Sequence, residues 1–279
     1  MLDYCFYKRF ICTLAFMQHL IKIIVFLSVF SGFCQPNDIS LKHVGTFKTE
    51  AQTYIGRDAF GNNYTLTDNV LRKESNQTKQ EYKNISLGKI DQVDLQNPLQ
   101  LVLFYKRMNA VVLLDNQLNE TVKIIFSETN PELQPQWIRM ASQNQLWLFD
   151  FASQKLGLYN YLKRTFNPIT VTFESPITAT QSDYNYFYWI NKDQELFASN
   201  LFGKINFLGK VPDFDAMQLI SSKQVLLKKG TILSIYDLEK ETSQILPIAE
   251  KSFDSFYYKD QILSIFTNNE IRNYKILLP

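Results

Sequence analysis

From about residue 53 to the C-terminus, short apolar runs alternate with short polar turns, and one arrangement returns about every forty residues: an apolar strand closed by Asp or Asn. It reads Tyr64–Asp68, Val111–Asp115, Gly157–Asn160, Phe197–Asn200 and Leu233–Asp237, with a weaker copy at Ile271–Tyr274. The anchors lie 47, 45, 40 and 37 residues apart, and Tyr236 to Tyr274 adds 38. A second apolar run precedes the closing strand in most copies, at Gln100–Tyr105, Gln145–Phe149, Tyr186–Ile190, Gln224–Leu227 and Gln261–Phe266, with polar turns such as Lys106–Asn109 between the two. Earlier still come Ile90–Val93, Gln136–Met140, Ile177–Thr180, Phe214–Met217 and Phe253–Phe256. A last run, clearest at Thr121–Phe126 and Ile205–Leu208, completes the unit. No apolar stripe at i, i+3, i+4, i+7 is sustained after residue 35, so these runs predict strands throughout.

Four antiparallel strands repeated at this period describe an all-β chain, a β-propeller with six blades of four strands. A lone sheet leaves one face bare, whereas blades packed radially cover both faces and a closed ring leaves few open edges. The closing Asp or Asn has a local reason to recur: its side chain accepts N–H bonds from the following turn. The final copy lacks an outermost strand. The segment Leu41–Phe47 is expected to supply it, which would bring Val44 close to Ile276. The polar stretch Lys73–Lys83 reads as a solvated hairpin or a long loop between repeats. Blade endings such as Ser234–Leu238 and Val112–Asn116 resemble the broad propeller group with NHL, YWTD and WD40 repeats, over residues 40–279. The Gly-His and Trp-Asp pairs of WD40 blades are missing and Tyr-Trp-Thr-Asp does not occur, so the resemblance implies a fold and no function.

The N-terminus reads differently. Lys22, the apolar run Ile23–Phe30 and the small residues Ser31-Gly32 make residues 1–34 a signal peptide, with translation expected to start at Met17. Residues 35–279 are then a single propeller domain without a transmembrane span, exported to a periplasmic or extracellular address. Cys34 offers the alternative of a lipoprotein anchor, but Phe33 stands where such signals place a small residue; cleavage after Cys34, leaving Gln35, is preferred. Removing Lys8, Arg9, Lys22 and Asp3 turns 29 basic and 27 acidic residues into 26 of each. A neutral chain lacks the cationic footprint of nucleic-acid binding. The three cysteines, Cys5, Cys12 and Cys34, leave too, so stability must come from the core and not from disulfides.

Chemistry is sparse. Of two histidines only His43 survives signal removal, which excludes a His-based metal cluster, a Ser-His-Asp triad and a Cys-His pair; no catalytic residue is assigned. No phosphate loop or dinucleotide fingerprint occurs. Carboxylates remain: Asp91, Asp215 and Asp254 start the expected innermost strands, with Asp213 nearby, and around a channel mouth they could share Ca²⁺. The plainer reading makes them strand-end caps and needs no cofactor. Dense aromatics at Tyr184–Trp189 and Phe253–Tyr258 offer Tyr184, Tyr186, Trp189 and Tyr257 as ligand-binding surfaces, against a core role for the same clusters. The basic turns Lys106-Arg107 and Lys228-Lys229 are expected on the face opposite that channel mouth. The leading functional expectation is a non-enzymatic binding or assembly module of a cell envelope, with a protein or glycan partner. The alternative is a propeller hydrolase or lyase using channel carboxylates, with or without Ca²⁺.

Overall fold

Twenty-four strands carry nearly all of the regular structure in residues 39–75 and 78–277, the part that this computed structural model describes. The expected signal peptide, the start at Met17 and any lipidation of Cys34 lie outside the described residues. Strand β1 (Ser40–Lys48) comes first. Blade 1 follows with β2 (Thr53–Arg57), β3 (Asn63–Thr67), β4 (Val70–Glu74) and β5 (Lys79–Tyr82). Blade 2 holds β6 (Gln92–Asp94), β7 (Gln100–Tyr105), β8 (Ala110–Asp115) and β9 (Glu120–Ile125). One helical turn, α1 (Phe126–Thr129), leads to blade 3: β10 (Pro135–Met140), β11 (Gln145–Asp150), β12 (Lys155–Asn160) and β13 (Thr165–Pro168). Blade 4 has β14 (Ile177–Ser182), β15 (Tyr186–Asn191), β16 (Glu195–Asn200) and β17 (Ile205–Lys210). Blade 5 has β18 (Ala216–Leu219), β19 (Gln224–Lys229), β20 (Ile232–Asp237) and β21 (Thr242–Ile245). Blade 6 has β22 (Ser255–Lys259), β23 (Ile262–Thr267) and β24 (Glu270–Leu277).

Each of the first five blades is an antiparallel meander in chain order, and the sixth has the order β1-β24-β23-β22. The first strand therefore closes the ring onto the last. Leu41 pairs with Ile276 and His43 with Tyr274, while an irregularity between His43 and Gly45 leaves Val44 out of the ladder. This is the closure expected from the missing outer strand. The first strand of each blade is innermost, where β2 meets β22 and β10 meets β14. Among the described residues no helix is long and apolar enough to cross a membrane.

Packing follows the alternation of each second strand. Leu101, Leu103 and Tyr105 of β7 face blade 1, while Val102 and Phe104 face blade 3, so both sides of the strand are buried. That explains why second strands read as unbroken apolar runs. Six clusters fill the six gaps between neighbouring blades. The smallest, Ala51, Tyr54, Phe266 and Ile271, joins blade 6 to blade 1.

The recurring anchors are turn makers. Asp115 Oδ1 accepts N–H bonds from Gln117 (2.8 Å) and Asn119 (2.9 Å), and Asn160, Asn200 and Asp237 do the same for their own turns. The first copy needs correction. Tyr64–Asp68 overlaps β3, the second strand of its blade, and Asp68-Asn69 forms the hairpin to β4 with φ of 50° and 62°. Glu74 then ends the third strand, 41 residues before Asp115. The stretch Lys73–Lys83 is accordingly no link between repeats, since most of it forms the hairpin of β4 with β5 inside blade 1.

Candidate functional site

The innermost strands give the channel two ends, a start face where they begin and an end face where they finish. Asp91, Asp215 and Asp254 stand one residue or so before β6, β18 and β22, on the start face. Asp91 Oδ2 accepts the Lys106 N–H at 2.8 Å, and Asp215 Oδ2 accepts the Gly230 N–H at 2.7 Å. Both carboxylates thus fasten an innermost strand to the next hairpin of its own blade. The Asp254 N–H donates to Phe266 O in the corresponding place. The Gly230 N–H, and then Lys229, hold the Asp215 carboxyl below the usual range. The three do not form a shared metal centre: among the described residues no group of three or more His, Cys, Asp or Glu is gathered as an ion requires. The basic turns are corrected as well. Lys106 is bonded to Asp91, and Lys229 Nζ lies 2.7 Å from Asp213 and 3.2 Å from Asp215, so these turns share the start face with the carboxylates.

The channel wall is built on a requirement that no sequence motif announced. An innermost strand has a ladder partner on one side only, so its remaining backbone groups need other partners. Blades 2 to 5 meet this chiefly through the residue opposite the third position of the second strand, Asp94, Arg139, Gln181 and Gln218, and blade 6 places Tyr257 there. Gln181 accepts the Leu219 N–H at 2.8 Å and donates to Leu219 O at 3.2 Å. Gln218 bridges Tyr258 likewise, at 2.7 and 2.6 Å. Asp94 accepts Met140 N–H at 2.7 Å and Gln96 N–H at 2.9 Å, while Gln92 adds a bond to Ile138 O. Arg139 Nη2 donates to Thr180 O at 3.0 Å. Tyr257 uses its ring, which lies so close to Gly56 of blade 1 that a Cβ there would meet it at 2.7 Å. Gly56 has φ of +153°, so both conformation and space call for glycine.

Towards the end face the channel opens into a cavity of about 410 Å³ with walls from all six innermost strands. Arg139, Asp94, Tyr257 and Ser255 line it. Arg139 keeps part of its surface open to the cavity, yet protein encloses it closely enough that burial lowers its pKa, with Asp94 and Tyr257 acting in the opposite sense. Burial, then the Asp94 charge, pushes the Tyr257 phenol well above its ordinary value, so it stays a protonated donor. The same face carries the turn Asp183–Asn185 between β14 and β15 of blade 4. There Tyr184 and Tyr186, 38% and 39% exposed, join Tyr188, Asn185, Asn206 and Ser222 around a groove of about 480 Å³. Asp183 shapes that turn by accepting N–H bonds from Asn185 (2.7 Å) and Tyr186 (2.8 Å) and the Tyr188 hydroxyl (3.0 Å). Trp189 does not belong to this surface. It is 5% exposed and stacks on Phe197 at 5.4 Å between blades 3 and 4, because strand alternation turns it with Phe187 into the core. His43 sits on β1 at the rim of the ring, bonded to Thr46 at 3.0 Å.

No protein-family model matches the chain, and no curated protein matches it. Solved structures do. A streptogramin B lyase is similar with TM-score 0.55 and 9% identity, covering 86% of this chain and 98% of that one. BamB from Moraxella catarrhalis is similar with TM-score 0.51 and 8% identity, covering 85% of this chain and all of that one. The Swd1 β-propeller domain from Myceliophteria thermophila gives TM-score 0.52 and 8% identity, covering 84% and 100%. Identities this low speak for architecture alone, and on the strand order, the closure and these likenesses the chain is a six-bladed β-propeller.

Proposed function

We propose that the chain is an exported, non-enzymatic propeller that serves as a binding or assembly module in a cell envelope. It meets a protein surface or a glycan on the end face. The observation that supports this is the groove of Tyr184, Tyr186 and Tyr188 beside the cavity, where exposed aromatic faces stand next to Asn185, Asn206 and Ser222. Flat rings edged by amide and hydroxyl groups suit sugar rings and peptide segments alike. The hydrolase or lyase reading depended on Asp91, Asp215 and Asp254 converging, and each is set in its own blade. A histidine-to-alanine variant of the Staphylococcus aureus virginiamycin B lyase is described as catalytically inactive. Among the described residues of this chain the one histidine is His43, on the outer rim.

The test uses the mature chain and its Tyr184→Ala/Tyr186→Ala double variant against envelope fractions and a glycan array. Retention by wild type that falls tenfold or more (about 1.4 kcal/mol) in the variant, at unchanged melting temperature, supports the reading. Equal retention by both proteins rejects this face. Mass spectrometry of the native protein checks the address: an N-terminus at Gln35 fits export, and an intact N-terminus in the cytosol rejects it.

A further inference from the structure

The ring of inter-blade side chains has two members with a polar atom left unbonded among the described residues, Arg139 and Tyr257. Asp94, Gln181 and Gln218 each commit both polar atoms to backbone groups. Arg139 commits Nη2 to Thr180 O at 3.0 Å, with Thr180 Oγ1 at 3.4 Å, and nothing else. Its Nε is buried without a partner, and Nη1 has none among the described residues. No carboxylate forms an ion pair with it there. Asp94 is the charge that acts on it most strongly, but both Asp94 oxygens already accept backbone N–H bonds. An enclosed guanidinium without an ion pair is costly, and a bound counter-charge relieves that cost.

The same cavity supplies a further donor. The Tyr257 hydroxyl makes no hydrogen bond among the described residues, and Tyr257 lines the cavity with Arg139. A guanidinium and a phenol hydroxyl are donors that suit an oxyanion. Charge selects among oxyanions. Arg139 and Lys259 line the cavity along with Asp94 and Asp260, so the formal charges cancel and a monoanion leaves less uncompensated charge than a phosphate dianion. We propose that the channel cavity is a carboxylate-binding site, with Arg139 holding the carboxylate and the Tyr257 hydroxyl as an auxiliary donor. A volume of about 410 Å³ admits a small carboxylic acid or the acidic end of a peptide.

The experiment is calorimetric titration of the mature chain with N-acetylglycine, its neutral amide N-acetylglycinamide, and inorganic phosphate. Saturable one-to-one uptake of N-acetylglycine is expected, at least tenfold tighter than either of the others. Arg139→Met, an unbranched and uncharged replacement, should abolish it, and Tyr257→Phe should weaken it about threefold to tenfold. If Arg139→Met does not fold, the Tyr257→Phe variant decides. Equal affinity for acid and amide, phosphate binding at least as tight, unchanged binding in Tyr257→Phe, or no saturable uptake by wild type would each overturn the assignment.

Discussion

Replacing Gln218 by Ala tests whether the channel ring holds the blades together. The side chain bridges Tyr258 of the next blade through two bonds, 2.6 Å to its carbonyl and 2.7 Å from its amide. Each is a neutral bond, with a net contribution of about 1 kcal/mol, and truncation also strands the two backbone groups that β22 cannot pair elsewhere, at about 1–3 kcal/mol for a buried one. The cavity beside them admits water, which recovers part of the loss. The expected destabilisation is roughly 2–4 kcal/mol. For a domain of this size that lowers the melting temperature by about 4–16 °C. Differential scanning calorimetry on wild type, Gln218→Ala and Gln181→Ala measures it. The two single variants should behave alike, because Gln181 bridges Leu219 in the same manner. Leu219 is the neighbour of Gln218, so the double variant should depart from additivity. Shifts below about 2 °C in both single variants would refute the reasoning, since water would then be satisfying the inner strands as well as the amides do.

Gly56→Ala should destabilise by about 1–3 kcal/mol through overpacking alone, more with the backbone strain, because its Cβ would press on the Tyr257 ring; an unchanged thermal melt counts against that contact. Trp189→Ala should cost about 3–5 kcal/mol by emptying the core between blades 3 and 4, whereas Tyr186→Ala should leave the unfolding free energy from urea titration within about 0.5 kcal/mol of wild type; the reverse order would place Trp189 outside the core. Acid stability follows the turn carboxylates. The side chain of Asn119 and turn N–H groups lower the pKa of Asp115, and the N–H groups of Lys240 and Glu239 lower that of Asp237. Folded values below the unfolded value of about 3.9 mean that their stabilisation is complete above that pH and is lost as pH falls towards the folded value. Asp115→Asn, the residue type that blades 3 and 4 use at this position, should flatten the fall of melting temperature below about pH 4; an unchanged acid limb would exclude the carboxylate as a source.

The blades were legible because a strand buried on both faces and a turn that needs an acceptor each restrict residue choice strongly. Blade 1 escaped in part for the same reason. Asp68 and Asn69 favour a tight turn wherever one occurs, and nothing in their chemistry says which pair of strands they join. The third strand that follows, Val70–Glu74, is amphipathic: Leu71 is buried, and Lys73 tucks its stem inward to place Nζ 2.6 Å from Asn116 O and over the Tyr64 ring at 5.9 Å. A charged residue that reaches across to the next blade looks, in sequence, like part of a solvated loop. The closing strand was readable because its absence was: five full meanders and a sixth short by one strand leave an edge that only a distant segment can cover.

The candidate site was less legible because the channel constrains a position without constraining a residue type. The demand at the inner wall is for one side chain per blade that reaches the next backbone, and Asp94, Arg139, Gln181, Gln218 and Tyr257 answer it with four different chemistries. Their spacings, 45, 42, 37 and 39 residues, follow the blade period, yet no shared letter marks them. The carboxylates at the strand starts were conspicuous for the opposite reason, as an Asp recurring at one place, and recurrence there reflects a local turn. Parity separates the aromatics where density does not: Tyr186 and Tyr188 face the groove, and Phe187 and Trp189 between and beyond them face the core. Regularity in this fold therefore points to structure, and departure from it points to sites. Within the ring the departures are Arg139 and Tyr257, the two members that leave a polar atom unbonded among the described residues, and both line one cavity.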